Sequence, residues 1–238
     1  MSNVEKSENL ITTYKERSLH AALKRYFCPD EDLHELKIGK FVADACDGTV
    51  IYEIQTGNLS RLAKKLDFYL QNTEYEVVIV HPLAQNRRIL WLDEETGELA
   101  RAPRLSPKHE SLFDGISDLY YLKDYLGNPK ISFCFPIMEI DEIRFCDGYG
   151  KHNKIRATSL DRLAGEIYSI EYVNCAEDIR DAIYSVLPDG EFRRTELSRS
   201  LKLNELKLWS AQKLLLELGI LSCRKEGKKL MLQKNQQK

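Results

Sequence analysis

Residues 50–57 constrain the fold more than any other part of this 238-residue chain. β-favouring residues alternate along the segment with a period of two, which is typical of a strand with one buried and one polar face. The same period places the side chains of Glu53 and Gln55 on one face. The segment therefore predicts a strand that carries a carboxylate and an amide side by side.

A second strand is predicted just before it, at residues 41–46. Asp47-Gly48 lies between the two strands and predicts a hairpin turn, which folds Asp44 back toward Glu53. Two carboxylates on rigid strands, with an amide oxygen nearby, can hold a hard cation such as Mg²⁺ for phosphodiester hydrolysis. The alternative is a hairpin whose polar face lies in water.

Asp44 followed by Glu53-Ile54-Gln55 resembles the signature of the PD-(D/E)xK nuclease superfamily. The core of that superfamily is a helix, a three-stranded meander, a second helix and a further strand. Gln55 stands where the signature lysine would be, a variant similar to that of CoiA-like competence proteins and related predicted nucleases. In that superfamily the lysine can be supplied from the next helix, where Lys64 and Lys65 lie in this chain. Lys65 is the candidate, and the alternative is that it is an ordinary solvated lysine on the helix surface.

The same resemblance implies a site for Mg²⁺ or Mn²⁺. Asp44, Glu53 and the backbone carbonyl of Ile54 are the expected ligands, and Gln55 would orient the attacking water. Glu35 is the candidate for a third carboxylate, because the family often carries an acidic residue upstream of the aspartate. By its position alone, Glu35 is equally consistent with an exposed strand residue.

The hydrophobic patterns around these residues predict the rest of an α/β core. Residues 8–28 and 59–70 have helical apolar stripes, and 33–40 alternate as a strand does. Residues 76–82 form an apolar, β-branched run, typical of a strand buried on both faces. A right-handed crossover would place that strand parallel to the one carrying Glu53. We predict a restriction-endonuclease-like mixed sheet flanked by helices.

Three further elements are predicted before residue 145. They are a strand at 87–93, a helix at 112–126, and either a strand pair or one long strand interrupted at Pro136 over 131–144. Residues 144–156 contain glycine, basic and aromatic residues, which suit a loop that contacts phosphate. A flexible surface loop is the alternative.

The pattern changes near residue 174, which suggests two domains, 1–170 and 171–238. Helices are predicted at 176–186, 192–201 and 204–218, and a hairpin with a basic tip follows. This order resembles a winged helix. Residues 191–238 hold twelve Lys or Arg and five Asp or Glu, a net +7, whereas the rest of the chain is net −9.

This asymmetry points to DNA as the partner of the C-terminal module. Its candidate contacts are the third-helix residues Lys207, Ser210 and Lys213, and the wing residues Arg224, Lys225, Lys228 and Lys229. Winged helices also bind proteins, and that alternative stays open.

The composition excludes several other classes of protein. No apolar run is long enough to span a membrane, the N-terminus lacks the features of a signal peptide, and the six cysteines form no C-x-x-C pair. We therefore expect a cytoplasmic protein without a membrane partner, and a homodimer is possible. The predicted function is a metal-dependent DNA endonuclease, and the alternative is a non-catalytic DNA-binding regulator that keeps the nuclease fold as a scaffold.

Overall fold

The computed structural model describes residues 18–93, 96, 98–150, 154–227 and 229–236, with the backbone alone at 145–150, 154–160 and 229. The α-helices are α1 Leu19–Phe27, α2 Ala63–Asn72, α3 Leu112–Asp118, α4 Ala176–Tyr184, α5 Arg194–Leu201 and α6 Glu205–Glu217. Short 3-10 helices lie at Glu31–Leu33, Leu59–Leu62 and Leu119–Tyr125.

The strands form a large mixed sheet and a small antiparallel one. They are β1 His34–Ile38, β2 Phe41–Cys46, β3 Val50–Ile54, β4 Glu76–Val80, β5 Leu83–Leu92, β6 Arg104–Leu105, β7 Ile131–Gly150, β8 Lys154–Val173, β9 Glu191–Arg193, β10 Leu221–Glu226 and β11 Lys229–Lys234. The large sheet has the order β1-β2-β3-β4-β7-β5-β6, and β8 pairs with the other edge of β7. The prediction of a mixed sheet flanked by helices is confirmed.

The first three strands form an antiparallel meander, and β4 then joins β3 in parallel through the crossover helix α2. The turn between β2 and β3 has a local cause. The Oδ1 atom of Asp47 accepts the backbone N–H groups of Thr49 and Val50 at 2.9 and 2.8 Å, and Gly48 adopts φ +97°. The predicted hairpin and parallel crossover are both confirmed.

Helices cover both faces of this part of the sheet. On one face, α1 begins at Ser18, whose side chain accepts the N–H of Ala21, and buries Leu19 and Leu23 against β3 and β4. On the other face, α2 buries Leu66 and Tyr69 in the main core. The predicted first helix is confirmed over Leu19–Phe27, and its residues before 18 lie outside the described part.

The prediction of a loop at 144–156 is wrong for the residues that the structure describes. They belong to β7 and β8, which pair as a hairpin from Phe133↔Val173 to Gly150↔Lys154. Pro136 does not interrupt β7. It lies between the β4 ladder, which ends at Val80↔Cys134, and the β5 ladder, which begins at Leu83↔Ile137, so neither ladder requires its missing N–H. A continuous strand at 154–173 was not predicted.

The C-terminal part contains α4, α5 and α6, and the small sheet in the order β10-β11-β9. Its apolar side chains, including Ile179, Leu197 and Leu214, lie in the same core cluster as Ile116 and Leu119 of the first part. The two parts therefore share one continuous hydrophobic core. No helix in the described part of the chain combines the length and apolar character needed to cross a membrane.

Candidate active site

The β2–β3 hairpin brings Asp44 to the strand that carries Glu53. The pairing Ala45↔Tyr52 aligns the two strands. Asp44 directly precedes Ala45 on β2, and its Oδ2 atom accepts the backbone N–H of Ile54 on β3 at 2.7 Å. The carboxylate of Asp44 is therefore held directly beside the backbone of the Glu53-Ile54-Gln55 segment.

Helix α1 supplies a second partner for Asp44. His20 Nε2 lies 3.3 Å from Asp44 Oδ2, and the side chain of Asp44 is 19% exposed. Burial alone would raise the pKa of Asp44, but the contacts from His20 and from the N–H of Ile54 outweigh burial and lower it. Asp44 is thus held as a carboxylate at neutral pH.

Glu53 is buried, with 1% of its surface exposed. Helix α2 provides both of its partners: Lys65 Nζ lies 2.5 Å from one carboxylate oxygen, and the hydroxyl of Tyr69 donates to the other at 3.0 Å. Lys65 and Tyr69 are four residues apart, so they share one face of the helix. Burial raises the pKa of Glu53 to about 7, and the charge of Lys65 opposes that rise.

Asp44 and Glu53 are the two carboxylates that this site offers to a cation. Asp44 Oδ1 has no hydrogen-bond partner among the described residues, and both oxygens of Glu53 are shared with α2. No group of three or more His, Cys, Asp or Glu side chains in the described ranges is placed to hold a metal ion. Mg²⁺ is bound in proteins through one or two carboxylates and retains several waters. A cation of this kind would take Asp44 Oδ1 as a ligand and would have to share the Glu53 oxygens with Lys65 and Tyr69.

Of the other residues predicted for this site, the structure brings some close to Asp44 and Glu53 and places others elsewhere. Lys65 reaches Glu53, whereas Lys64 is exposed. Gln55 lies next to the site, and its side-chain amide donates to the carbonyl of Asn58 at 2.7 Å. Glu35 is not brought to Asp44 and Glu53; it is exposed, adopts φ +52° and forms an ion pair with Lys24 of α1. The prediction of Glu35 as a third carboxylate of the site is wrong, because this cation on α1 binds it instead.

A polar pocket lies directly beyond Gln55, at the carboxyl ends of β3 and β4. His81, which follows β4, donates from Nδ1 to the carbonyl of Gln55 at 2.5 Å. Its Nε2 lies 3.4 Å from Asp118 Oδ2. Burial would raise the pKa of Asp118, but His81 and Lys207 lower it.

Helix α6 packs against α3 and the 3-10 helix that follows α3. Lys207 forms an ion pair with Asp118, and the Trp209 ring lies edge-on to Tyr120 at a centroid distance of 5.2 Å. Ser210 is only 4% exposed, whereas Lys213 is exposed. The prediction that Lys207 and Ser210 lie on a free outer face is wrong, because that face is packed on the first part of the chain.

The basic hairpin β10–β11 remains accessible. Lys225 is exposed, and Arg224 is exposed but pairs with Glu191 at 2.5 Å. Lys228 lies outside the described residues, and Lys229 is described by its backbone alone. A role for these residues in binding DNA stays a prediction.

Sequence reasoning missed several residues that the structure brings to the site. Tyr69 had a detectable signal, since it lies one helical turn after Lys65 and thus faces the same carboxylate. His81 follows a buried strand parallel to β3, so the shared carboxyl edge was also detectable. Nothing in the local pattern around His20 distinguished it from other polar positions of α1.

Comparisons with known proteins identify a family. A family model described as "Domain of unknown function (DUF8091)" matches residues 17–174, which include His20, Asp44, Glu53, Lys65 and Tyr69. A relative from Treponema pallidum (strain Nichols), named "Uncharacterized protein", is 30% identical over 181 residues, which cover 75% of this chain and 70% of that protein. No solved structure matches the chain.

Proposed function

The chain belongs to the DUF8091 family, and we propose that it is a metal-dependent DNA endonuclease of the PD-(D/E)xK type. In this proposal, the first part of the chain is the nuclease domain and the C-terminal part is a winged helix that binds DNA. The observation that carries the proposal is the contact of the Asp44 carboxylate with the N–H of Ile54, beside the buried pair Glu53–Lys65. Two carboxylates and a lysine are thus held close together on two paired strands and a helix.

The order of secondary structure supports the same proposal. Helix α1, the meander β1–β3, helix α2 and the parallel strand β4 follow one another as in the core of that superfamily. Asp44 lies on the second strand and Glu53 on the third, as the superfamily signature requires. Lys65, on the following helix, takes the place left by Gln55.

The roles of the residues follow from their charges. Asp44 and Glu53 would hold Mg²⁺ or Mn²⁺, which would lower the pKa of a bound water and offset charge on the phosphate. Lys65 adds a positive charge where negative charge grows during phosphodiester hydrolysis. Gln55 is partly buried and its amide nitrogen donates to Asn58, so its side-chain oxygen is the atom that would orient water.

DNA contacts are proposed for the residues that remain accessible. Lys213, Arg224 and Lys225 are exposed, and the C-terminal 48 residues are net +7 in a chain whose overall charge is −2. Such cations bind phosphates with a strong dependence on salt concentration. Because α6 is packed on α3, DNA would approach along the hairpin β10–β11 rather than along the buried face of α6.

The experiment is cleavage of labelled single-stranded, duplex and branched DNA with Mg²⁺ or Mn²⁺. We expect Asp44→Asn and Glu53→Gln each to lower cleavage by about a hundredfold or more, since several kcal/mol of charge stabilisation would be lost. Glu76→Gln, which changes an exposed carboxylate outside the site, is the matched control and should cleave normally. Cleavage that survives in both site variants, or none on any substrate, refutes the proposal.

A DNA-binding regulator without catalysis is the second candidate. The observation in its favour is that Lys65 and Tyr69 already satisfy both oxygens of Glu53, so the buried carboxylate is stabilised by protein groups alone. Calorimetric titration with Mn²⁺ separates the two candidates. A regulator would bind DNA, with salt-dependent affinity, and would not bind Mn²⁺ at the Asp44–Glu53 site.

A further inference from the structure

The pocket beyond Gln55 has a volume of about 340 Å³ and is lined by residues from both parts of the chain. Its cationic side chains are Arg87, Arg162 and Lys207, and its carboxylates are Glu110 and Asp118. A pocket at the junction of two structural units is a usual place for a ligand.

Arg162 differs from the other two cations. Arg87 pairs with Glu110 at 3.0 Å, and Lys207 pairs with Asp118. The guanidinium of Arg162 donates to the backbone carbonyl of Thr56 at 3.1 Å, and it has no carboxylate within ion-pair distance in the part of the chain that the structure describes. Carboxylates line the same pocket, and Glu142 is the cross-strand partner of Arg162, but none of them contacts the guanidinium directly. The free N–H groups of a partly buried guanidinium can therefore donate to an anion in the pocket.

Two hydrogen bonds tie this pocket to the candidate active site. Arg162 holds the carbonyl of Thr56, and His81 holds the carbonyl of Gln55. Both carbonyls belong to the residues that directly follow Glu53-Ile54 in the chain. An anion beside Arg162 would therefore lie on the side of the candidate site where the Glu53-Ile54-Gln55 segment ends.

The rim of the pocket carries an aromatic side chain. Tyr121 lines the pocket and is 48% exposed, although it belongs to a 3-10 helix whose other aromatic residues pack inward. Exposed aromatic rings beside cations stack nucleobases in proteins that bind single strands. A guanidinium with a neighbouring exposed ring suits a nucleotide better than a free anion.

We propose that this pocket binds a phosphate group of a nucleic-acid strand, with Arg162 as its anion ligand and Tyr121 as the platform for the attached base. The inference rests on the proposed nuclease function, because it makes the pocket the subsite for the phosphate next to the one that is cut. It assigns a substrate contact to Arg162, which lies outside the nuclease signature.

The first test uses inorganic phosphate and full-length protein in EDTA. At constant ionic strength, phosphate at about ten times its Kd should raise the Tm by about 3 °C or more. Arg162→Gln should abolish the rise, and Arg104→Gln, which removes an exposed arginine outside the pocket, should retain it. A rise that persists in Arg162→Gln, or no rise in the wild type, overturns the proposal. If Arg162→Gln does not fold, Arg162→Lys, which keeps the charge and loses the fork, must weaken the effect.

The second test separates a strand from free phosphate. The probe is a 3′-labelled oligothymidylate in EDTA, followed by fluorescence anisotropy. We expect Arg162→Gln to weaken binding by about tenfold or more and to lower the slope of log K against log salt by about 0.7. Tyr121→Ala should weaken binding of the oligonucleotide and leave the response to inorganic phosphate unchanged. Binding of inorganic phosphate without binding of the oligonucleotide overturns the assignment to a strand.

These binding measurements stand apart from the cleavage assay, because neither requires a metal ion. If binding of phosphate and of the strand depends on Arg162 and no DNA is cleaved, the proposed nuclease function is refuted and the proposed phosphate-binding role of the pocket is supported. If the protein cleaves DNA with a metal ion and Arg162→Gln leaves strand binding unchanged, the proposed role of the pocket is refuted and the nuclease function is supported.

Discussion

The buried pair of Glu53 and Lys65 makes a quantitative prediction for the metal-free protein. Burial raises the pKa of Glu53 from its ordinary 4.5 to about 7. A carboxyl group with a higher pKa in the folded chain than in the unfolded chain stabilises the fold at low pH. That contribution is lost as the pH rises from 4.5 through 7.

The perturbation is Lys65→Met, which keeps most of the side-chain volume and removes the charge. Loss of a cation in contact with a carboxylate raises the pKa of that carboxylate by about 1–3 units. Glu53 therefore keeps its proton to a higher pH in the variant than in the wild type, where Lys65 pairs with the charged carboxylate. At about 1.36 kcal/mol per pKa unit, the variant should lose about 2 kcal/mol of unfolding free energy at pH 8.5 and little at pH 5.5.

The assay is urea unfolding in EDTA at both pH values. Lys64→Met is the matched control, since Lys64 is the exposed neighbour on the same helix and should change stability by less than about 0.5 kcal/mol at either pH. An equal cost of Lys65→Met at the two pH values, or a larger cost at pH 5.5, would refute the assigned coupling between Lys65 and Glu53.

Three other substitutions test separate contacts by the same urea assay. Tyr69→Phe removes the hydroxyl that donates to Glu53 and should cost about 1–3 kcal/mol at pH 8.5; no loss would mean that this hydrogen bond is not formed. Gly115→Ala places a Cβ atom 2.7 Å from the ring of Phe135 and should cost about 1–3 kcal/mol, and a neutral result would show that the ring can move aside. Asp118→Asn weakens the ion pair between α3 and α6 and should cost about 1–3 kcal/mol; an unchanged midpoint would contradict the docked position of α6.

Much of the first part of the fold was predictable because its elements are locally encoded. The alternation before and after Asp47-Gly48 specifies two strands and a turn, and the apolar run of β4 specifies a buried strand. The contact between Asp44 and the Glu53 strand follows from that hairpin. Lys65 was also accessible to sequence reasoning, since one helix must cross between β3 and β4.

The long hairpin of β7 and β8 was not predictable in the same way. Glycine, basic and polar residues at 144–156 favour loops locally, but at 144–150 and 154–156, the residues that the structure describes, pairing between the two strands satisfies the backbone groups. Strand propensity depends on such partners more than helix propensity does. The residues of β8 therefore had no clear local signal of their own.

The sequence by itself determined the local elements of this protein: the hairpin that joins Asp44 to Glu53, the helix that carries Lys65, and the excess of positive charge at the C-terminal end. These features depend on residues close together in the chain. Only the tertiary structure decided which surfaces stay free. The packing of α6 on α3 buries Ser210 and engages Lys207, and the pairing of β7 with β8 brings Arg162 to Thr56, 106 residues earlier. The physical reason is that such contacts arise from burial of apolar area between distant segments, which no local pattern specifies.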